Sequence, residues 1–536
     1  MNILSINFNH DGAAAIVSSG RISAFLNTER FSKKKKHPGI RLVDLHNLLN
    51  QAGLSLTDIG MVLVCNFNNM DSPDIPFLYG TTLKESWFEF WINQTRSRII
   101  IEGIELPCIV NPDHHTLHCS AAYYTSPFDH AICFSWDPTG YGICEGKGNK
   151  MLKMDSVYGG SNTNRWYSEV AASLFGTGII GAGKVMGLAP YGSPGRDMED
   201  LYRQITDMEQ LFEVSSTDGF VAIEENGKTL NATLAYNVQQ LMERQLKWVL
   251  DILYEYSLEK GIPPNLCLGG GACLNSVANQ IAFANSKFEK LHIHPASGDD
   301  GTAIGAALWY WFDVLDNGKR PFSNKEIMYS ILNYEDSIEG ELASQPFADK
   351  FIVERSPDYI LRTAKYIAEG KIIAWFQDSS EIGPRSLGNR SILADPRNPD
   401  IKDTLNRRVK FREGFRPFAP SVLNEHAEAW FGLKDSPFML RVCDVLKDGI
   451  PAVSHVDRTA RIQTVAKDDN PNYYQLISCF NDITGVPLVL NTSFNIKGES
   501  IVETPQDALN CFLNTDIDIL VFKNIILKKK AHSFPI

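Results

Sequence analysis

Two stretches of the sequence repeat the same strand–turn–strand pattern with an acidic residue at a corner, and this duplication limits the fold more than any other feature. The first runs from residue 3 to residue 26, with His10-Asp11-Gly12 at its first connection. The second runs from Ile132 to Cys144, with Asp137 at its corner. Short apolar segments that end at turns containing Gly or Asp are typical of β-hairpins. We therefore expect two related lobes.

A histidine pair and two aspartates are candidate metal ligands. His114 and His118 are four residues apart, so on a helix both imidazoles leave the same face. Asp137 ends a predicted buried strand, and Asp299 precedes a further predicted helix. Two imidazoles and a carboxylate can hold a divalent metal and leave positions open for substrate or water. The alternatives are a structural histidine pair and a helix-capping role for Asp299, and Asp300 competes with Asp299 as the ligand.

Composition excludes several classes of protein. The 536 residues carry a formal net charge of −12, which argues against a broad nucleic-acid footprint. The ten cysteines form no C-x-x-C pair, so we expect neither a disulfide framework nor a structural zinc site, and a cytoplasmic location is the simplest. No apolar run reaches the roughly 18 residues of a spanning helix, so no membrane partner is expected.

Two glycine-rich segments are candidate nucleotide-binding elements. Residues 178–192 nearly match a P-loop, but Val185 replaces the hydroxyl residue, so we reject that motif and expect a flexible loop with a substrate-facing Lys184 or a structural hinge. Gly269, Gly270 and Gly271 follow a predicted strand and precede a predicted helix, 275–284. Bare backbone N–H groups at such a helix start can cradle a phosphate.

The C-terminal third is rich in basic residues. We expect domains at 1–345 and 355–536, because the segment between them is polar and aperiodic. A strand is predicted at 371–376, followed by cations that we expect on loops, where they suit a compact polyanion such as carbamoyl phosphate or ATP. The candidate binding residues in this segment are Arg385, Arg390, Lys410, Arg412 and Arg416. A solvated basic surface is the alternative.

Four segments resemble motifs of the NodU/CmcH-type O-carbamoyltransferase family, and the resemblance extends over nearly the whole chain. They are GKVMGLAPYG at 183–192, GPRSLGNRSILADPR at 383–397, EGFRPFAPSV at 413–422 and LNTSFN at 490–495. The resemblance implies an α/β protein with an N-terminal ASKHA-fold domain, of the actin and sugar-kinase group, and a C-terminal YrdC-like domain.

The resemblance also implies residue roles. Lys410 and Arg412 with Ser493 and Asn495 correspond to a K-x-R plus S-x-N pair that binds nucleotide and the carbamoyl substrate. The family's metal, iron or a similar divalent ion, falls on His114, His118, Asp137 and Asp299. The nucleotide would contact Gly269, Gly270, Gly271 and Asn275, with Mg²⁺ accompanying ATP. His10, our first expectation for a general base, and Lys36 match positions near the transfer centre.

The implied activity is ATP-dependent O-carbamoylation. Carbamoyl phosphate and ATP would give carbamoyladenylate, whose carbamoyl group passes to a hydroxyl of a small-molecule acceptor such as a sugar or another natural product. The alternatives are threonylcarbamoyl transfer to tRNA, an ASKHA-class small-molecule kinase, and a non-enzymatic ATP-regulated binding module. Neither the acceptor nor the oligomeric state follows from the sequence, and a homodimer stays open.

Overall fold

The N-terminal hairpins lead into the first of three large sheets formed by the described residues, which has the strand order β3-β2-β1-β4-β8-β7-β6-β5. β1 pairs antiparallel with β2 and parallel with β4, and β4 pairs parallel with β8. Residues 3–7 of β1 are all buried, as expected for a strand between two neighbours that is covered on both faces. The strands are β1 (Asn2–Asn7), β2 (Ala13–Ser18), β3 (Arg21–Asn27), β4 (Ile59–Cys65), β5 (Phe77–Tyr79), β6 (Phe88–Ile92), β7 (Arg98–Ile101) and β8 (Ile104–Val110).

The second sheet repeats this arrangement, with the order β11-β10-β9-β14-β15. β9 pairs antiparallel with β10 and parallel with β14, and β14 pairs parallel with β15. The strands are β9 (His130–Asp137), β10 (Gly140–Lys147), β11 (Lys150–Lys153), β14 (Asn265–Gly269) and β15 (Lys290–Ile293). Three antiparallel strands followed by parallel neighbours thus occur twice. This confirms the predicted duplication and the ASKHA-type fold of the N-terminal part.

Helices cover these sheets and bring distant segments together. They are α1 (Thr28–Ser32), α2 (Leu42–Gln51), α3 (His114–Thr125), α4 (Thr163–Phe175), α5 (Ala182–Leu188), α6 (Met208–Val214), α7 (Ala232–Lys260), α8 (Ser276–Ala284), α9 (Gly301–Trp309) and α10 (Asn324–Met328). The predicted helix at 231–260 is confirmed as α7, capped by the Asn231 side chain and ended by Gly261 at φ 66°. α3 and α9 pack closely, because a Cβ at Gly305 would lie 2.0 Å from the Leu117 carbonyl oxygen.

The C-terminal part is a mixed α/β unit around a third sheet, ordered β16-β25-β24-β17-β18-β23-β19-β22. Its strands are β16 (Phe351–Arg355), β17 (Ile373–Phe376), β18 (Arg390–Ala394), β19 (Ala419–Leu423), β22 (Gln463–Val465), β23 (Leu488–Ser493), β24 (Ile519–Phe522) and β25 (Ile525–Lys529). Its helices are α11 (Ile338–Ala343), α12 (Tyr359–Ala368), α13 (Ile401–Leu405), α14 (Asn424–Phe431), α15 (Pro471–Thr484) and α16 (Pro505–Leu513).

The prediction of cations on loops holds for Arg385, Arg412 and Arg416, which lie outside helices and strands, but not for the whole basic segment. α13 continues directly into a π-helical turn, Asn406–Lys410. Arg407, Arg408 and Lys410 therefore lie on a helical segment, of which Lys410 is buried and the two arginines are exposed. The interruptions at Gly383 and Gly388 lie before it, so nothing breaks the helical run itself.

The computed structural model describes residues 1–67, 77–79, 88–92, 95–154, 163–193, 205, 207–216, 221–225, 227–319, 321–330, 333–344 and 347–530. Two small hairpins complete it, β12 (Ala222–Glu225) with β13 (Lys228–Asn231) and β20 (Val442–Asp444) with β21 (Thr459–Arg461). Within these ranges no single helix has the length and apolar character to cross a membrane. The pair Thr163–Phe175 and Gly178–Tyr191, bent by 80°, meets those two criteria jointly.

Candidate active site

The four predicted metal ligands come together. His114 and His118 lie one turn apart on α3, Asp137 ends β9, and Asp299 lies just before α9. Their ligand atoms all lie within 4.8 Å of one another, and they are the one such group among the described residues. His114 Nε2 is 2.6 Å from Asp137 Oδ2 and 3.2 Å from His118 Nε2, which is 3.4 Å from Asp299 Oδ1. We call these four residues the metal cluster.

Hydrogen bonds from residues outside the metal cluster orient its side chains. Asp137 Oδ1 accepts hydrogen bonds from the Thr139 backbone N–H and hydroxyl, so Oδ2 is the oxygen that faces the histidines. Asp299 Oδ2 accepts from the Asn9 side chain at 2.9 Å, which leaves Oδ1 toward His118. Asp113 caps α3 by accepting from the Thr116 N–H and so fixes the turn that carries His114.

Opposite charges compensate each other in the metal cluster. Burial alone would raise the pKa of Asp137, but the hydrogen bonds from His114 and Thr139 outweigh it and hold that pKa well below its usual range. Burial is likewise outweighed at Asp299, whose pKa His118 lowers to about 2. Two ionised carboxylates and two imidazoles fit a divalent cation in charge and in ligand type.

Asp300 faces a different neighbourhood from Asp299. The Asn27 side chain donates to Asp300 Oδ2, and burial first, then the Asp11 carboxylate, raises the Asp300 pKa to about 7. Lys36 Nζ donates to Asp11 Oδ2 at 2.6 Å. His10, half-exposed, lies with Nδ1 3.5 Å from Asp299 Oδ2 and Nε2 3.4 Å from Asp11 Oδ2. The two predicted catalytic residues are therefore neighbours of the metal cluster.

A cavity of about 510 Å³, which we call the central cavity, lies between the N-terminal and C-terminal parts. Its C-terminal wall carries four arginines, Arg385, Arg412, Arg416 and Arg461. Its N-terminal wall is formed by α7, through Gln239, Gln240 and Glu243, and by α8, through Ser276, Val277 and Gln280. The volume is in the range of a small-molecule site.

The K-x-R and S-x-N residues meet beside this cavity. Lys410 Nζ donates to Ser493 Oγ at 3.1 Å and to Asn495 Oδ1 at 2.7 Å, and Ser493 Oγ donates to Asn495 Oδ1 at 2.7 Å. Arg412 stacks over Phe418, with its guanidinium carbon 4.4 Å from the ring centroid, and lines the cavity. Lys410 and Ser493, 83 residues apart in the sequence, thus belong to one polar network.

The arginines of the central cavity lie close to one another. Burial, reinforced by the charge of Arg416, lowers the pKa of Arg385 to about 10. Burial and neighbouring positive charges also lower the pKa of Arg412 and Arg461, and burial lowers the pKa of Arg416 despite its partner Glu413. Within the described part of the chain, the buried Nε atoms of Arg385 and Arg461 have no hydrogen-bond partner. Such a wall is suited to an anion, which would accept hydrogen bonds from these two N–H groups.

Arg461 and Glu243 were missed by the sequence analysis. Arg461 ends the short strand β21 in a segment without a recognised motif. Glu243 is one of many polar residues on α7; its carboxylate accepts from Gln239 at 2.8 Å and Gln240 at 2.9 Å, and burial raises its pKa to about 7. Nothing in the local sequence of either residue marks it as facing a cavity.

Arg390 does not face the central cavity. It is fully buried over the Phe376 ring, and its guanidinium donates to the backbone carbonyls of Gln377, Asp378 and Glu503. Each of its nitrogens is thus engaged with backbone, and its place in the fold is structural. The prediction that it binds substrate phosphate finds no support in this geometry.

The predicted nucleotide-binding residues lie in several places. Lys184 is on helix α5, where a flexible loop had been predicted, and its Nζ lies 2.9 Å from Glu413 Oε1 of the C-terminal part. Asn275 caps α8 and exchanges hydrogen bonds with Gln239. Gly269 and Gly270 adjoin the metal cluster, since a Cβ at Gly269 would lie 2.7 Å from the His118 carbonyl oxygen and one at Gly270 2.3 Å from that of Trp136, and none of the three glycines lines the central cavity.

Comparison with known proteins places the whole chain in one family. Residues 2–308 match the family model for the carbamoyltransferase N-terminus, and residues 364–529 match that for the carbamoyltransferase C-terminus. The nodulation protein NolNO of Sinorhizobium fredii is 33% identical over 98% of this chain and 80% of its own length. An uncharacterised protein of Synechocystis sp. is 31% identical over 99% of this chain and 97% of its own length.

A solved structure, HypF from T. kodakarensis, is 10% identical over 58% of this chain and 48% of its own, with a TM-score of 0.31. So low a score adds nothing to the fold, which stands on the strand order above. The two family models and the relatives above 30% identity show that this chain is an enzyme of the carbamoyltransferase family.

Proposed function

We propose that the chain is an ATP-dependent O-carbamoyltransferase that forms carbamoyladenylate from carbamoyl phosphate and ATP and passes the carbamoyl group to a hydroxyl of a small-molecule acceptor. The observation that carries this proposal is the wall of four arginines in the central cavity, adjoining the Lys410–Ser493–Asn495 network. In this proposal the C-terminal part activates the donor and the N-terminal part transfers the carbamoyl group.

In the donor half, the reactants carry several negative charges that must approach one another. Carbamoyl phosphate, ATP and one water would give carbamoyladenylate, pyrophosphate and phosphate. Water first breaks the bond between phosphorus and the carbamate oxygen of carbamoyl phosphate, which releases phosphate. An oxygen of the resulting carbamate then attacks the α-phosphorus of ATP, and pyrophosphate leaves with the electrons of the broken bond. The arginines would bind the phosphates and stabilise charge as it develops on the leaving group. Ser493 and Asn495 are placed to orient the planar carbamoyl group by hydrogen bonds.

The opposite wall of the cavity suits the nucleoside. Glu243, Gln239 and Gln240 offer acceptors and donors to sugar hydroxyls. Apolar side chains of the same cavity, Phe431 and Leu433, could cover a base. A nucleotide that spanned the cavity would therefore place its phosphates on the C-terminal wall and its sugar on α7, with Mg²⁺ accompanying its phosphates.

In the transfer half, the acceptor hydroxyl would approach the metal cluster from the side of His10. A divalent ion held by these four side chains would act as a Lewis acid toward the carbamoyl group. The acceptor oxygen forms a bond to the carbamoyl carbon, and AMP leaves with the electrons of the broken carbon–oxygen bond. His10 accepts the hydroxyl proton as general base, and Asp299 and Asp11, both within 3.5 Å, hold its ring. Lys36, bonded to Asp11, places a positive charge beside them.

An assay without acceptor tests the donor half. The metal-loaded protein is incubated with carbamoyl phosphate, ATP and Mg²⁺, and pyrophosphate and carbamoyladenylate are followed by mass spectrometry. We expect both products, their loss in Lys410→Ala, and their retention in Arg407→Ala, whose exposed charge lies on the same helical turn. Equal turnover in wild type and Lys410→Ala would refute the assigned site. If wild type gives neither product with acceptor hydroxyls present, the proposal itself fails.

A further inference from the structure

The side chain of Asn66 links the first sheet to the metal cluster. Asn66 follows β4 directly and has φ 55°, a left-handed conformation that asparagine tolerates better than most residues. Its Oδ1 lies 2.7 Å from His114 Nδ1. Its Nδ2 lies 2.8 Å from Asn7 Oδ1 and 3.3 Å from Thr302 Oγ1. One carboxamide therefore contacts β1, α3 and α9.

The hydrogen-bond network fixes which end of this carboxamide is oxygen, since an amide is oriented by its partners. Asn7 Nδ2 donates to the Asp11 carbonyl at 2.7 Å, so Asn7 Oδ1 can only accept. Thr302 Oγ1 gives its one proton to the Asp299 carbonyl at 2.6 Å, so it too can only accept from Asn66. Both groups on that side of Asn66 require a donor, and the side facing His114 is therefore the oxygen.

A carboxamide oxygen next to His114 Nδ1 requires that this nitrogen carry a proton. We propose that Asn66 is a positioning residue for the metal cluster: it holds His114 in the Nδ1–H form, so that Nε2 presents its lone pair to the metal. The same amide, through Thr302 and the Asp299 carbonyl, also ties the start of α9 to α3. A hydrogen-bond partner on the ring nitrogen that does not bind the metal orients a metal-bound histidine and raises metal affinity.

Asn66→Gly tests the proposal, because glycine keeps φ 55° without strain and removes only the side chain. The probe is Co²⁺, with affinity measured by chelator competition and the visible spectrum of the bound ion. We expect Asn66→Gly to bind Co²⁺ about 10- to 100-fold more weakly with an altered spectrum. Asn66→Asp, which keeps an acceptor for Nδ1–H, should recover part of the loss.

Asn111→Gly is the matched control. Asn111 also has a left-handed backbone, at φ 49°, and its side chain bonds both backbone groups of Phe67, the neighbour of Asn66. Its loss loosens the same loop but leaves the contact to His114. An equal loss of Co²⁺ affinity in Asn111→Gly, or Asn66→Gly affinity within about 3-fold of wild type, would overturn the inference.

The inference rests on the metal-cluster part of the proposed function. Two further outcomes distinguish a failure of the inference from a failure of that assignment. If wild type itself binds no Co²⁺, the metal cluster is misassigned. If Asn66→Gly does not fold, as its apo melting curve would show, the tautomer is read directly from ¹⁵N-histidine resonances of the zinc-loaded wild type. A proton on His114 Nδ1 supports the inference, and zinc bound through Nδ1 refutes it.

Discussion

The metal cluster and the central cavity both bury charge, but they do so in opposite ways. In the metal cluster, two carboxylates face two imidazoles and each Asp is held from behind by hydrogen bonds. In the central cavity, four arginines share one wall; burial lowers the pKa of each, and the charge of Arg416 adds to this effect at Arg385, Arg412 and Arg461. The first site is compensated within the fold. In the second, Glu413 lies 3.7 Å from Arg416, and we expect a bound anion to compensate most of the remaining charge.

This difference predicts how each site responds to mutation. Removing a member of a compensated cluster leaves a buried charge without its partner and costs stability as well as binding. Removing one of several like charges takes away a contact to an anionic ligand, so ligand binding weakens. The same change relieves repulsion among the remaining charges, so the ligand-free fold is not weakened. Stability and binding should therefore change together at the metal cluster and separately at the central cavity.

The largest effect is expected for Asp299→Asn. Loss of one ligand of four should weaken Co²⁺ binding by about 3 kcal/mol, roughly 100-fold or more, if the ion's binding free energy is of order 10–16 kcal/mol shared among its ligands. Asp300→Asn, one residue away, should stay within a few-fold of wild type because Asp300 faces Asn27 and Asp11. Chelator competition measures both, and a reversed ranking would make Asp300 the ligand.

Glu243 tests whether the two walls of the central cavity neutralise each other. Its pKa is raised to about 7 from the ordinary value of 4.5 by burial, so the arginines opposite do not hold it ionised. Between these pH values the unfolded chain has lost the proton that the folded protein keeps, and stability therefore falls as pH rises. By pH 8 the cost is about 3 kcal/mol.

Glu243→Gln should remove this decline, so that the variant gains on wild type between pH 5 and pH 8 in the free energy of unfolding by denaturant. Glu259→Gln, exposed at the end of the same helix, should follow wild type at every pH. If the free energies of unfolding of the variant and of wild type change in parallel across this pH range, Glu243 is already ionised and paired in the folded protein.

Arg461→Met should separate binding from stability. The apolar stem is kept and the charge is removed, so pyrophosphate and ATP should bind about 10- to 100-fold more weakly, given 1.5–3 kcal/mol for a charged hydrogen bond. The melting temperature without ligand should be unchanged or higher. Arg458→Met, an exposed neighbour paired with Asp448, serves as the control. A large fall in ligand-free stability would mean that Arg461 is compensated within the fold after all.

The metal cluster and the central cavity also differ in how much of each could be predicted from the sequence. Local geometry suggested the metal cluster through a four-residue spacing on a helix, a carboxylate at the end of a strand and another before a helix, but the resemblance to a family was needed to choose a metal site over structural roles for these residues. Lys410, Arg412, Ser493 and Asn495 were predictable through the resemblance to a family. The duplicated strand order was predictable from two hairpins with acidic corners.

The remaining parts depend on packing between segments far apart in the chain. Arg461 reaches the cavity from a three-residue strand, and Asn66 reaches His114 across 48 residues. Arg390 belongs to a basic motif, yet its burial over Phe376 assigns it to the fold. No local pattern distinguishes an arginine that faces a cavity from one that binds backbone carbonyls, because Arg390 and Arg461 both lie at one end of a short strand.

The smallest effect is expected for a substitution of Lys184, which distinguishes two roles for this lysine: contact with a nucleotide and pairing with Glu413. Its sequence suggested contact with a nucleotide, whereas the structure pairs it with Glu413 across the two parts of the chain, with side chains 21% and 12% exposed. For a partly exposed ion pair we expect Lys184→Met to cost about 1 kcal/mol or less and to change ATP affinity less than about 5-fold.

A double-mutant cycle with Glu413→Gln makes this prediction specific. If the pair is the main role of Lys184, the two single variants lose similar stability and the double variant loses little more, because each single change already breaks the same contact. If Lys184 instead binds phosphate, ATP affinity falls tenfold or more in Lys184→Met whatever residue stands at 413. In that case the lysine belongs with the arginines of the central cavity, and the helix α5 joins the wall that the ligand must compensate.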